Sequence, residues 1–288
     1  MSGIKDYFSL VKIHHTIFSL PFALIGFFLA FRENGETVSL RILLLVILCV
    51  LFARNAAMGF NRYADREFDR LNPRTALREI PRNIISPKSA LLFVLLNVVL
   101  FIVAAGFLNS MCLILSPVAL AVVLGYSFTK RFTALAHLFL GMGLALAPIG
   151  AYLAVTAQFA VLPLLYSFAV LFWVAGFDII YALQDYDFDV KNGLRSVPVV
   201  VGKRNSLVLS ALFHVAALAL IFAAGFLGHV GWIHWTGVAI FTGLVVYQHL
   251  LVKPDDISKV NLAFFTLNGI ASVIFAVFVI ADLFLFNH

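Results

Sequence analysis

Along this chain, long apolar runs alternate with short polar breaks, and the runs have the length of a membrane span rather than of a core helix. They fall near 14–31, 40–61, 89–108, 111–128, 133–154, 161–181, 206–226, 231–252 and 260–282. Each is close to the ~20 residues that cross a bilayer as a helix. The pattern predicts an all-α, polytopic membrane protein of about nine transmembrane helices. Breaks such as Asn109-Ser110 and Gly228 to Gly231 are short and made of turn residues, which predicts tightly connected helical hairpins. Only two connections are long, 62–88 and 182–205, and they hold most of the acidic residues.

Composition sharpens this picture. Of 288 residues, 62% are hydrophobic and 12% charged, a balance that a water-soluble domain could not cover with polar surface. The mean hydropathy of +1.03 agrees, so the lipid bilayer is the first partner. Cys49 and Cys112 lie inside apolar runs and read as packing residues, not as a disulfide framework or a metal cage. No small-residue cleavage site follows the first run, so the first helix is expected to be retained. Neither a low-complexity segment nor a second domain is visible, and residues 1–288 read as one transmembrane domain.

The charge of +6 is topological. With a cytoplasmic N-terminus, every Lys and Arg except Arg32, Arg41 and the intrahelical Arg54 falls on the cytoplasmic side. That bias predicts the orientation and supports an odd number of spans. It places both long loops in the cytoplasm, the expected membrane being a bacterial inner membrane, and it gives no argument for a nucleic-acid partner.

The candidate chemistry lies at the ends of the second and sixth runs. Arg54, Asn61, Asp65 and Asp69 are spaced by seven, four and four residues, which puts them within one narrow helical stripe. Asp178, Asp185 and Asp189 repeat the seven-and-four step, whereas Asp187 points away. Carboxylates at the membrane end of two helices are costly unless a cation or a polar cavity satisfies them. Hard oxygen ligands favour Mg2+, which completes its shell with water and phosphate oxygens, so a diphosphate is the natural bridge. Arg62, Arg66, Arg70, Arg74, Arg78, Lys130, Arg131, Lys191 and Arg195 can take up the remaining phosphate charge. Any one of these cations would serve topology alone, and Arg54 could simply snorkel to the interface. Two matched acidic stripes have no such topological use. His137, His214, His229, His234 and His249 lack ligand spacing and read as packing or interfacial residues. Gly141, Gly143, Ala145, Ala147 and Gly150 read as a close helix contact, not as a nucleotide loop.

Taken together, the Asn61-x-x-x-Asp65-x-x-x-Asp69 stretch, the Asp178 to Asp189 stretch and HTIFSLPFALIGFFLA in the first run resemble the UbiA superfamily of intramembrane prenyltransferases. The similarity extends through Arg74-Thr75-Ala76-x-Arg78-x-x-Pro81 and Tyr126-Ser127-x-x-Lys130-Arg131 and covers essentially the whole chain. It implies a helical bundle around a central cavity open sideways to lipid and capped by the two long loops. It also implies an Mg2+ and diphosphate cluster served by Asn61, Asp65, Asp69, Asp185 and Asp189, with Asp178 a further member. Arg78 and Lys130 would assist the diphosphate, with Arg74 and Arg131 beside them and Tyr126 nearby. Arg54, seven residues before the motif asparagine, would hold the carboxylate of an aromatic acceptor. One departure is RTALREIPRNIIS, where many family members carry a glycine, which predicts a differently shaped cap.

The expected activity is Mg2+-dependent transfer of a polyprenyl group from a polyprenyl diphosphate to an aromatic acid acceptor, 4-hydroxybenzoate first, in quinone biosynthesis. Asp65, Asp185 and Arg54 are its catalytic candidates. A naphthoate of an alternative menaquinone route is a second acceptor with the same carboxylate. From another class, an ion-coupled transporter would also carry intramembrane acids, but it would place them near the midplane instead of at one face.

Overall fold

The structure, a computed structural model, describes residues 3–35 and 37–285 apart from the side chains of 13–15, so the His15 that opens the first-run motif lies outside it. The architecture is all-α. The long helices are α1 (Leu20–Asn34), α2 (Leu40–Ala64), α3 (Pro87–Leu108), α4 (Ser110–Thr129), α5 (Ala136–Thr156), α6 (Val161–Ala182), α7 (Val197–Leu227), α8 (Trp232–Leu251) and α9 (Asn268–Leu285). Their starts carry local signals. The Ser86 hydroxyl accepts the Ser89 N–H ahead of Pro87, and the Asn109 side chain accepts the Cys112 N–H. Asn109 also donates to the Leu153 carbonyl at 2.8 Å, so one residue caps α4 and ties it to the end of α5.

Among the described residues, seven helical stretches are long and apolar enough to cross a membrane, which makes this a multi-pass membrane protein. The two expected spans outside that set are α1 and α8. The chain turns at Lys12, whose φ is 46°, enters the first run as a 3₁₀ segment (Ile13–Phe18) and becomes α-helical only at Leu20, with Pro21 in the first turn. Fifteen residues remain for α1, about 22 Å at 1.5 Å per residue. In α8, His234, Gln248 and His249 interrupt the apolar sequence. The last run likewise opens with a π-helical segment, Leu262–Leu267, before α9. There the Asn268 amide donates to the Ala263 and Phe264 carbonyls and to Gln248, and its oxygen accepts the Trp173 indole N–H. That buried network joins α6, α8 and α9 by polar contacts, which lipid cannot replace.

The packed core lies on one side of the bundle. Phe22, Trp173, Phe177, Phe241 and Phe275 interlock at ring spacings of 5.0–6.0 Å between α1, α6, α8 and α9. Helix α5 packs against α1 and α6, and α2 against α3. The outer faces of α3, α4 and α7 expose Leu92, Leu96, Ile114, Val208 and Val215, an arrangement suited to lipid contact.

Candidate active site

Helices α2, α4, α5 and α6 wall a cavity of about 600 Å³ that is charged at one end and apolar elsewhere. Val118 and Phe159 line it and are more than half exposed, so its apolar part reaches the lipid-facing surface. Arg54, Asn61, Asp65, Asp69, Arg74, Arg78, Tyr126, Lys130, Arg131, Asp178, Asp185 and Asp189 all line this one cavity. Asp187 is exposed and does not.

Both acidic stripes run across a helix end. Helix α2 stops at Ala64, Asp65 sits in the break, and a short helix (Arg66–Leu71) carries Asp69. The Asp65 N–H still bonds the Asn61 carbonyl and the Asp69 N–H the Asp65 carbonyl, so the i, i+4 alignment survives the break. The second stripe is built alike, with Asp185 between α6 and a short helix (Tyr186–Lys191).

Each of these acids has its own cation. Arg74 grips Asp185 with a bidentate fork, Nε–H to Oδ1 at 2.9 Å and Nη2–H to Oδ2 at 2.6 Å. Arg78 donates to Asp69 at 2.6 Å, Lys130 stands 2.9 Å from both oxygens of Asp189, and Arg131 donates to Asp65 at 3.3 Å. Asn61 donates to the other Asp65 oxygen at 3.0 Å, and Asn72 to Asp185 at 3.0 Å. Among the described residues no three His, Cys, Asp or Glu side chains converge tightly enough to hold an ion, so the expected metal ligands do not form a ready cage. The reason is the pairing: each acid is drawn to a different cation.

The donor set still suits Mg2+. It consists of carboxylate and amide oxygens, and this ion seldom takes a complete protein shell. Asp69 Oδ2 is buried with no hydrogen-bond partner. The Asp65 carboxyl is pushed above its ordinary range, first by burial and then by the negative charge of Asp69, which outweigh Arg131 and Lys130. An acid oxygen without a hydrogen-bond partner and a carboxylate that burial penalises are both groups that an incoming cation would stabilise.

Three residues have partners that the sequence did not indicate. Asp178 lies seven helical residues from Asp185, about 10 Å along the axis. Its Oδ2 meets His137 Nδ1 at 2.7 Å. His137 is therefore no mere packing residue. Arg54 donates to the Val11 and Lys12 carbonyls at 3.2 and 3.1 Å, fastening the turn after the N-terminal helix (Ile4–Leu10) to the cavity wall. In the glycine-poor cap Asn83 takes a left-handed φ of 58°, a conformation that asparagine adopts more readily than most residues.

Sequence reasoning missed Asn72, Tyr181 and the depth of Arg62. Tyr181 accepts a hydrogen bond from Arg74 at 2.9 Å. Arg62 is buried on the cavity wall with an unpartnered Nε–H, close enough to Asp69 and Arg78 to feel both charges. Asn72 follows the first stripe, and no periodic signal marks it.

The chain is similar to known proteins over most of its length. Residues 19–270 match the model of the UbiA prenyltransferase family. A protein of Tolumonas auensis named 4-hydroxybenzoate octaprenyltransferase is 30% identical over 272 residues, which cover 94% of this chain and 95% of that one. The apo structure of a UbiA homolog from Aeropyrum pernix superposes with a TM-score of 0.84 at 34% identity, over 94% of this chain and 98% of that chain. The fold is also that of a UbiA homolog from Archaeoglobus fulgidus bound to DMAPP and Mg2+, with a TM-score of 0.75, 20% identity, and coverage of 98% and 100%.

Proposed function

Because this chain belongs to the UbiA prenyltransferase family, we propose that it transfers a polyprenyl group from a polyprenyl diphosphate to an aromatic carboxylate acceptor, 4-hydroxybenzoate first, in Mg2+-dependent quinone biosynthesis. The observation that carries this reading is the convergence of four acids and four cations at one end of an apolar cavity that reaches lipid. An amphiphile with an anionic head and a long apolar tail fits such a cavity in one orientation only. Asn61, Asp65, Asp69, Asp185 and Asp189 would hold Mg2+, which neutralises the diphosphate as a leaving group when bound. Arg74, Arg78, Lys130 and Arg131 would then exchange their carboxylate partners for phosphate oxygens, and Arg62, with its free Nε–H, would join them. Departure of the diphosphate leaves an allylic cation, which the aromatic ring captures in a space where apolar walls keep water scarce.

Arg54 is the acceptor's carboxylate partner in this proposal. Two backbone carbonyls fix its guanidinium plane, and a guanidinium carries more N–H donors than those two use. Arg54→Lys should raise the Michaelis constant for the aromatic acid about tenfold or more and leave that for the prenyl diphosphate nearly unchanged. A change confined to diphosphate use would move Arg54 to the phosphate site. Mass spectrometry of products from membranes given Mg2+, several prenyl diphosphates and a panel of aromatic acids tests the function itself. Naphthoates belong in that panel, because they offer Arg54 the same carboxylate. Absence of any prenylated aromatic acid would refute the proposal. The transporter alternative finds no support in the family match.

The orientation belongs to the same proposal: nine spans, a cytoplasmic N-terminus, and both acidic loops capping the cavity in the cytoplasm of a bacterial inner membrane. Single cysteines at Ser86 and Asn192, in a background lacking Cys49 and Cys112, should react with impermeant reagents only from the cytoplasmic side. Labelling from outside would reverse the topology.

A further inference from the structure

We propose that Asp178 is the base that removes the proton from the acceptor ring, and that His137 positions it. This rests on the prenyl-transfer reading above. Capture of an allylic cation by an aromatic carbon leaves that carbon with both a new carbon–carbon bond and its original hydrogen. The electron pair of the broken carbon–oxygen bond has left with the diphosphate. Aromaticity returns only when the ring proton departs, its bonding pair re-entering the ring, and a carboxylate within reach is the acceptor such a proton needs.

Asp178 meets the geometric demands. It lines the same cavity as Arg54, and each lies seven residues deeper than the motif residue that follows it, Asn61 for Arg54 and Asp185 for Asp178. Both therefore stand about 10 Å from the acid and cation cluster, at the depth of an acceptor held behind the diphosphate. Tyr126 is near enough to Arg54, Asp178 and Asp65 to feel all three charges, so the two groups face a shared space.

Asp178 is also the one carboxylate of the two stripes with no lysine or arginine partner among the described residues; its partner is His137. The Val197 N–H points at His137 Nε2 from 3.4 Å, which leaves Nδ1 to carry the ring proton and donate it to Asp178 Oδ2 at 2.7 Å. The imidazole is 4% exposed and locked at both nitrogens. One carboxylate oxygen is thereby held, and the other is left for the substrate. This is a single orienting hydrogen bond behind a base, made by an imidazole and not by an arginine fork.

The test compares the wild-type protein with Asp178→Asn, His137→Ala and His137→Gln in proteoliposomes containing Mg2+, a prenyl diphosphate and 4-hydroxybenzoate. The acceptor is used both unlabelled and deuterated at the two positions ortho to its hydroxyl. In Asp178→Asn and His137→Ala, aromatic product should fall about 100-fold. Prenyl alcohol, formed when water captures the cation, should persist. A primary deuterium isotope effect larger than in wild type should appear, because ring deprotonation becomes limiting. His137→Gln keeps an N–H toward Asp178 and should recover most of the product. Parallel loss of alcohol and aromatic product without an isotope effect would overturn the assignment and return Asp178 to the diphosphate site. Unchanged variants, or failure of His137→Gln to recover, would overturn it too. If wild type itself makes no aromatic product, the prenyl-transfer reading falls and takes this assignment with it.

Discussion

Asp65→Ala and Asp185→Ala should each lower turnover at least about 1,000-fold, ~4 kcal/mol of transition-state stabilisation, while the protein still inserts and purifies as wild type does. The structure supplies the reason for so large an effect at each position. Asp65 sits in the break after α2, bonded by Asn61 and Arg131, with its carboxyl pushed up by burial and by Asp69. Asp185 sits in the matching break after α6, forked by Arg74 and bonded by Asn72. Each stripe presents its acids from a rigid helix end, so the loss of one cannot be made good by a neighbour on the same stripe. Removal of Asp185 also leaves Arg74 without its fork, free to hold a diphosphate in a geometry that does not lead to ionisation. Asp187→Ala is the control, since that side chain is exposed and off the cavity, and it should retain full turnover. Turnover across an Mg2+ titration, with gel filtration for folding, decides the matter. Full activity of either variant, or of the wild type in excess EDTA, would remove the metal-bridged cluster from the mechanism.

Gly26→Val and Gly141→Val should each cost about 3 kcal/mol or more of stability and lower the thermal midpoint in detergent sharply. A Cβ at Gly26 would stand 2.0 Å from the Pro148 carbonyl oxygen, and one at Gly141 would stand 2.3 Å from that of Leu171. Both obstacles are backbone, so relief demands that a helix move. Helix α5 is the one displaced in either case, pressed off α1 by the first substitution and off α6 by the second. Because Gly143, Leu144 and Ala147 of α5 line the cavity, activity should fall along with stability. Gly150→Ala separates the two effects. Nothing stands within 4 Å of its Cβ position, and it lines the cavity, so that variant should fold normally. A midpoint unchanged in Gly26→Val would mean that α1 and α5 are not in backbone contact.

Those glycines show what periodicity can and cannot convey. The small-residue run of α5 reads in the sequence as one close helix contact, and Gly141 is one. Gly143 is only at ordinary distance from Val123, at 3.6 Å, and Gly150 opens into the cavity. The same residue type serves packing at one turn and space at another, because the neighbouring helix passes close to one and not the other.

The apolar runs, the two acidic stripes and the charge bias were legible without coordinates because each follows from a local repeat. Span length comes from the rise per residue, and the seven-and-four spacing of Arg54, Asn61, Asp65 and Asp69 comes from the helical turn. Even across the break at Asp65 the i, i+4 hydrogen bonds keep that stripe intact. Partnership was not legible. That Asp185 pairs with Arg74, Asp189 with Lys130 and Asp178 with His137 depends on how loops and helices far apart in the chain are brought together. The shortened α1, the π-helical opening before α9 and the tether from Arg54 to the Val11 and Lys12 carbonyls are of the same kind. In a lipid solvent a buried polar group must find its partner inside the protein, and which partner it finds is decided by the tertiary arrangement, whereas the periodic placement of that group on its helix is already written in the chain.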